Sequence, residues 1–212
     1  MNKTATSSKP RKRTAPKEQR RLQLIKATMR SIARRGLSDT TMATVASLAG
    51  LSQGIINLHF KSKERLLVET LRYVTDDYRQ AWERALENAG PASADKLTAL
   101  IDVDFEKAVC DRNKLAVWFA FWGESKSRPT YRKLCTERDE EYLRVLTGLC
   151  QDLIDGGGFT GLDAEIIASG LSAMSEGLWL DLLLTPETMN PERARDICLT
   201  HMASIFPGYF TE

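Results

Sequence analysis

Three of the four tryptophans occupy positions where their rings could bind a cation. Trp118 and Trp122 are four residues apart, so on a helix their rings would share one face. Trp179 lies in a later apolar segment, three residues after Glu176. Aromatic faces beside a carboxylate can hold a quaternary ammonium, which has no N–H to donate. Buried tryptophans also serve simply as core, and the residue types alone leave both interpretations open.

Positive charge is concentrated at the N-terminal end of the chain. Residues 1–63 contain 14 Lys and Arg against two acids, whereas residues 64–212 contain 16 against 26. Such asymmetry predicts that one end meets a polyanion. A membrane surface is the competing polyanion, but a membrane-lying segment carries a bulky apolar face beside its basic residues. Residues 1–21 have no such face, which favours nucleic acid.

The spacing of apolar residues predicts an all-α fold of about nine helices. Residues 1–16 hold almost nothing to bury, and we interpret them as a disordered basic arm. Two short helices separated by Gly50 give the helix-turn-helix arrangement, in which the second helix enters the major groove of DNA. We expect helices at about residues 17–35, 41–50, 52–59, 62–88, 94–109, 112–126, 129–155, 163–184 and 190–206.

Several classes of protein are disfavoured by what the sequence lacks. There is no Gly-rich phosphate loop and no HExxH string, so we expect no enzyme. The four cysteines are widely spaced without CxxC pairs, which argues against a zinc site or a disulfide framework and favours small hydrophobic residues on helices. No run of apolar residues predicts a membrane-spanning helix, and we expect a cytoplasmic protein without metal or cofactor. The cysteines are Cys110, Cys135, Cys150 and Cys198.

The segment from Thr41 to Lys63 resembles the helix-turn-helix of the TetR family of bacterial repressors. The resemblance implies three regions: the arm at 1–16, a DNA-binding domain at 17–63, and an effector-binding and dimerisation domain at 64–212. It also implies a homodimer on a palindromic operator, regulated by a small molecule. The matching residues are Thr41, Val45, Ala46, Ala49, Gly50, Ser52, Gly54, His59, Phe60 and Lys63.

Seven of the residues between 41 and 63 are candidates for DNA contact. Hydroxyls at helix N-termini, at Thr41 and Ser52, can bind phosphate oxygens. The family resemblance assigns phosphate contact to His59 as well, while Lys63 would add a point charge or remain solvated. The remaining three are Gly54, which would allow close approach to the backbone, and Gln53 and Asn57, whose amides share a face and could pair with adenine.

Strings in the remainder of the chain resemble the BetI branch of the same family, which represses glycine betaine synthesis genes and responds to choline. These strings are WFAFW at 118–122, EGLWL at 176–180 and GIIN at 54–57. The resemblance implies an aromatic cage for choline, and an unrelated hydrophobic or cationic effector is the alternative. An architectural DNA-binding protein without any effector is a further alternative. The implied ligand residues are Trp118, Trp122, Trp179, Glu176 and Phe105, with Asp104 and Asp181 as weaker candidates.

The last two predicted helices are candidates for the dimer interface, as they are in the family. Small residues on the first of them would allow close approach of a partner helix. These are Ala168, Gly170, Ala173 and Gly177.

Overall fold

The computed structural model describes residues 17–210, which form nine α-helices and no β-strand. The all-α prediction is confirmed, and the proposed arm at 1–16 lies outside the described residues. The helices are α1 (Lys17–Arg35), α2 (Met42–Ala49), α3 (Gln53–His59), α4 (Lys63–Asn88), α5 (Ser93–Asp104), α6 (Arg112–Glu124), α7 (Pro129–Gly157), α8 (Ala164–Leu184) and α9 (Pro191–Ile205).

Local sequence signals define the three helices of the N-terminal head. Thr41 caps α2 reciprocally: the Thr44 N–H donates to its hydroxyl at 3.1 Å, and its own N–H donates to the Thr44 hydroxyl at 2.9 Å. Such a capping box satisfies two backbone donors that the helix leaves unpaired. Gly36 and Gly50 follow α1 and α2 with φ of 77° and 65°, a left-handed conformation that glycine adopts without strain.

The predicted helix at 94–109 is too long, because α5 ends at Asp104. The Phe105 N–H bonds to the carbonyl of Asp102 instead of continuing the α pattern, and residues 105–110 form a turn. Val109 and Cys110 are nevertheless buried. The apolar spacing of Val109 and Cys110 therefore comes from a turn that packs on the core. Periodicity cannot distinguish such a turn from one more turn of helix.

Helices α4 to α9 form the body of the protein, and two of them contact the head directly. Helix α4 starts in the head and packs against α1, α5, α6 and α7, while α6 packs against both α1 and α8. The buried side chains of the described residues form one continuous cluster through head and body. All four cysteines are buried and unpaired, and burial raises the pKa of the Cys150 thiol to about 11. Three of them lie on helices as expected, and Cys110 lies in the turn before α6.

Helix α8 is more apolar than the sequence analysis allowed. Its 21 residues are long and apolar enough to match the length and composition of a membrane-spanning helix. In the fold it packs against α6, α7 and α9, as a core helix does. One side of α8 remains exposed.

Candidate operator-binding head and effector site

The predicted base-reading face of α3 is free of protein contacts. Ile56 and Phe60 are buried and anchor the helix on the head, while Gln53 and Asn57 point outward. Leu58, on the same helix, is 77% exposed, and the sequence analysis did not single it out. An apolar side chain held in water on a recognition helix is suited to the thymine methyl group. Its apolar character between polar neighbours was a signal available in the sequence.

Ser52 and Gly54 lie at the start of α3, and both make few contacts with the rest of the protein. Ser52 has the extended backbone of an N-cap, but its hydroxyl makes no cap hydrogen bond. Because Ser52 is exposed and its hydroxyl has no such bond, the hydroxyl stays available to a phosphate. A Cβ at Gly54 would meet only the Ser52 hydroxyl, at 3.8 Å. Nothing inside the described protein therefore requires glycine there.

The string from Gly50 to Gly54 also matches the Gly-x-Ser-x-Gly spacing of a hydrolase nucleophile elbow. That motif works at a sharp turn from a β-strand into a helix. Here Ser52 lies between two helices, and residues 17–210 contain no strand. The string is therefore a helix-turn-helix turn and identifies no nucleophile.

Two predicted phosphate ligands, Lys63 and His59, have side-chain atoms that face the protein and not the solvent. The Lys63 ammonium donates to the carbonyl of Ser38 at 2.9 Å, which ties the start of α4 to the loop after α1. An ammonium has three donors, so the contact leaves capacity for a phosphate. His59 is half-buried, and its Nδ1 is buried without a hydrogen-bond partner.

In the body, an arginine that the sequence analysis missed occupies the centre of the tryptophan cluster. Arg138 on α7 is buried. Its guanidinium carbon lies 4.6 Å from the ring centroid of Trp118, 5.6 Å from that of Trp122 and 5.3 Å from that of Tyr78. Three aromatic faces thus surround one cation. We call Trp118, Trp122 and Tyr78 the aromatic box.

Two carboxylates complete the surroundings of the Arg138 guanidinium. It donates to Glu176 at 3.3 Å and also to the adjacent Asp139. Glu176, a predicted ligand residue, therefore balances a cation here, and that cation belongs to the protein. A sequence signal for Arg138 existed, because it interrupts an otherwise apolar stripe on α7. The stripe contains Tyr131, Cys135, Tyr142, Leu146 and Leu149.

Beneath the aromatic box lies a buried acid, Asp104, with 2% of its surface exposed. The hydroxyls of Tyr78 and Tyr142 donate to its two carboxylate oxygens at 2.6 Å and 3.3 Å. Burial raises the pKa of Asp104 to about 6, while hydroxyl donors and the positive charge of Arg138 oppose the rise. The same burial raises the pKa of both tyrosines well above its ordinary value.

The five predicted ligand residues are not all in one place. Trp118, Trp122 and Glu176 meet around Arg138. Trp179 stands one layer behind: its ring meets Tyr78 edge-on at 5.5 Å and its Nε1 donates to the Asp104 carbonyl at 2.8 Å. Phe105 is buried after α5, and within residues 17–210 it pairs with none of these rings. The weaker candidate Asp181 is exposed.

The box is built on helices that extend to the head. Tyr78 belongs to α4, whose first turn lies beside the helix-turn-helix, and both tryptophans belong to α6, which packs on α1. Near the head, Glu64 of α4 accepts from Arg128 at 3.3 Å and from the Tyr131 hydroxyl at 3.4 Å. Packed helices therefore connect the box with the head.

An unpartnered apolar stripe runs along α8. Ile166 and Leu184, at its two ends, are 71% and 65% exposed, and the predicted small residues Gly170, Ala173 and Gly177 lie between them on the exposed side. Ala168 is fully buried within the protomer, so its assignment to a partner contact is wrong. Ile197 of α9 is also partly exposed.

Two sequence families match the chain in succession. Residues 24–70 match the family described as bacterial regulatory proteins, tetR family. Residues 91–207 match the family described as BetI-type transcriptional repressor, C-terminal.

Relatives and solved structures cover most of the chain. The transcriptional regulator BetI of Stenotrophomonas maltophilia is 34% identical over 84% of this chain and 88% of its own length. BetI of Burkholderia thailandensis is 37% identical over 77% and 82%. A Pseudomonas aeruginosa regulator superposes with a TM-score of 0.79 at 31% identity, covering 90% of this chain and 92% of the other. A Saccharomonospora viridis regulator in complex with choline has a TM-score of 0.78 at 23% identity, covering 88% and 96%.

Helix-turn-helix head, helical body and both family matches agree, and they also agree with the expectation that the chain is a regulator and not an enzyme. The chain belongs to the TetR family of bacterial regulatory proteins and, within it, to the BetI-type DNA-binding transcriptional repressors.

Proposed function

We propose that this repressor is regulated by choline or a related quaternary ammonium and controls genes of glycine betaine synthesis. The observation that carries the proposal is the aromatic box, which already surrounds a cation with three ring faces and a carboxylate. A quaternary ammonium needs the same surroundings. The similarity to a Saccharomonospora viridis regulator that was solved in complex with choline supports choline as the cation.

The proposal includes a homodimer as the DNA-binding unit. Ile166, Leu184 and the small residues between them form a stripe that would be covered by the same stripe of a second copy, as two-fold interfaces require. Two copies would present two α3 helices to the two halves of a palindromic operator. Gln53, Asn57 and Leu58 would read bases, whereas Thr41, Ser52, His59 and Lys63 would contact phosphates, with Gly54 admitting the backbone.

Regulation would follow from differential affinity between two conformations of the dimer. A ligand can release DNA only if it binds better to the conformation in which the heads no longer match the operator. The box fits this requirement because its walls come from α4 and α6, the two body helices that contact the head. Movement of the Tyr78 ring by the ligand would act directly on α4.

Calorimetry with a matched pair of ligands tests the effector. Choline and 3,3-dimethylbutan-1-ol have nearly the same shape, but only choline is charged. We expect choline to bind and the neutral alcohol to bind far more weakly, and Glu176→Gln should weaken choline binding alone. Equal binding of both compounds would contradict a cation site, and the effector would then be an unrelated hydrophobic molecule.

Tryptophan substitutions test the position of the site. Trp118→Ala and Trp122→Ala should each weaken choline binding by about 30-fold, corresponding to about 2 kcal/mol for a desolvated ring. Phenylalanine at the same positions should cost less because a ring face remains. Phe206→Leu is the control for a change in a buried ring, since Phe206 is fully buried and packs against Phe159 at 5.5 Å, outside the box. Equal losses for Phe206→Leu and Trp118→Phe would place the ligand elsewhere.

A further inference from the structure

We infer that Arg138 is an internal competitor of the effector: its guanidinium fills the aromatic box, and a ligand cation must displace it to bind. The inference rests on the proposed function in taking a cation as the effector. It adds that this chain carries its own occupant for the site and that the occupant lowers the apparent affinity.

The contacts of Arg138 are those of a bound ligand. Its guanidinium lies within 6 Å of three ring centroids, the range in which a cation is attracted to a ring face. Glu176 supplies the opposite charge. A quaternary ammonium on the same rings would overlap the guanidinium, so the two cations exclude each other.

Room for the displaced side chain exists next to the box. A cleft of about 190 Å³ lies between α4 and α7, and Arg138 is among its lining residues. Three acids, Asp76, Glu137 and Glu141, line the same cleft together with Arg72 and Arg79, and Arg79 already pairs with Glu141 at 2.6 Å. A guanidinium that leaves the rings would therefore enter a cleft of mixed charge, where the carboxylates of Asp76 and Glu137 can balance its charge. Helix α4 forms one wall, so this movement also changes the surroundings of the helix that leads to the head.

The consequence for affinity follows from the population of open boxes. When the binding-competent state is a fraction of all molecules, the apparent Kd rises by the inverse of that fraction. A box that Arg138 fills in nine molecules of ten, for example, weakens binding about ten-fold. Removal of the guanidinium should therefore tighten choline binding, whereas a merely structural arginine would weaken it on removal.

The test compares three substitutions by calorimetry with choline. Arg138→Ala should lower the Kd by about ten-fold or more, and Arg138→Lys should stay close to the original protein because an ammonium can also occupy the rings. Arg144→Gln is the matched control, since Arg144 is an exposed arginine on the same helix. Glu176 and Asp139 remain partly exposed, and the buried Asp104 keeps its two tyrosine hydroxyl donors when Arg138 is truncated. Arg138→Met is a second variant that preserves more of the side-chain volume.

A thermal-shift experiment with ethylguanidinium gives a readout independent of choline. This ion reproduces the end of the arginine side chain, so it should raise the melting temperature of Arg138→Ala and leave the original protein unchanged. If choline binds both proteins equally, or binds Arg138→Ala more weakly, the competitor role is wrong while the choline proposal stands. If ethylguanidinium stabilises Arg138→Ala but choline binds neither protein, the competitor role stands and the choline proposal fails.

Discussion

Replacement of Asp104 by asparagine should remove a large pH-dependent contribution to stability. The carboxyl is buried, and its pKa is about 6 in the folded protein against an ordinary 3.8. Between pH 3.8 and pH 6, the Asp104 carboxyl therefore keeps its proton in the folded state and has lost it in the unfolded state. The stability from this proton is fully present below pH 3.8 and is lost as the pH rises through 6. The difference in pKa corresponds to about 3 kcal/mol.

Urea unfolding between pH 4 and pH 8 measures this contribution. Other acids also titrate in this range, so the quantity to plot is the free energy of unfolding of the original protein minus that of Asp104→Asn, at one protein concentration. We expect the difference to fall by about 2.5 kcal/mol from pH 4 to pH 8, slightly less than the full contribution because pH 4 is already close to the ordinary pKa. Asp181→Asn, at an exposed position on α8, is the control for loss of an acid without burial. A difference that stays flat, or rises with pH, would refute the protonated state of Asp104.

Three further predictions concern the head and the dimer. Gln53→Ala or Asn57→Ala should cost about 1–3 kcal/mol of binding free energy on the operator and little on random duplex, whereas Lys63→Ala should weaken binding to both alike. Fluorescence anisotropy with both duplexes measures these losses. Uniform losses for all three variants would show that α3 does not read bases. Leu184→Asp should raise the dimer dissociation constant at least 100-fold, because burial of such a side chain in each copy is worth about 1.5–3 kcal/mol. Sedimentation at micromolar concentration measures this change, and an unchanged profile would exclude α8 from the interface. Thr41→Ala should lower the free energy of unfolding by about 1 kcal/mol through loss of the α2 cap, and urea midpoints unchanged from the original would show that the cap is dispensable.

Short-range signals determined most of the architecture. The helices could be predicted from apolar spacing, and the caps at Thr41 and Ser62 and the glycines at 36 and 50 follow from the chemistry of helix ends. Ser62 does cap α4, accepting from the Arg65 N–H at 3.1 Å. The N-terminal excess of positive charge and the string at 41–63 likewise identified the DNA-binding head, because a helix-turn-helix is built from residues close together in the chain.

The aromatic box, our proposed effector site, depends on contacts between residues far apart in sequence, and only the tertiary structure shows these contacts. The choice of Trp118, Trp122 and Glu176 came from one helix face and a resemblance, but the third ring is Tyr78 of α4 and the occupant is Arg138 of α7. Asp104 became a buried acid because α4, α7 and α8 close over it. Periodicity shows which residues turn inward on each helix, whereas helix packing determines which of them meet. An arginine on an apolar stripe therefore acquired its role as the occupant of the aromatic box only when four helices came together.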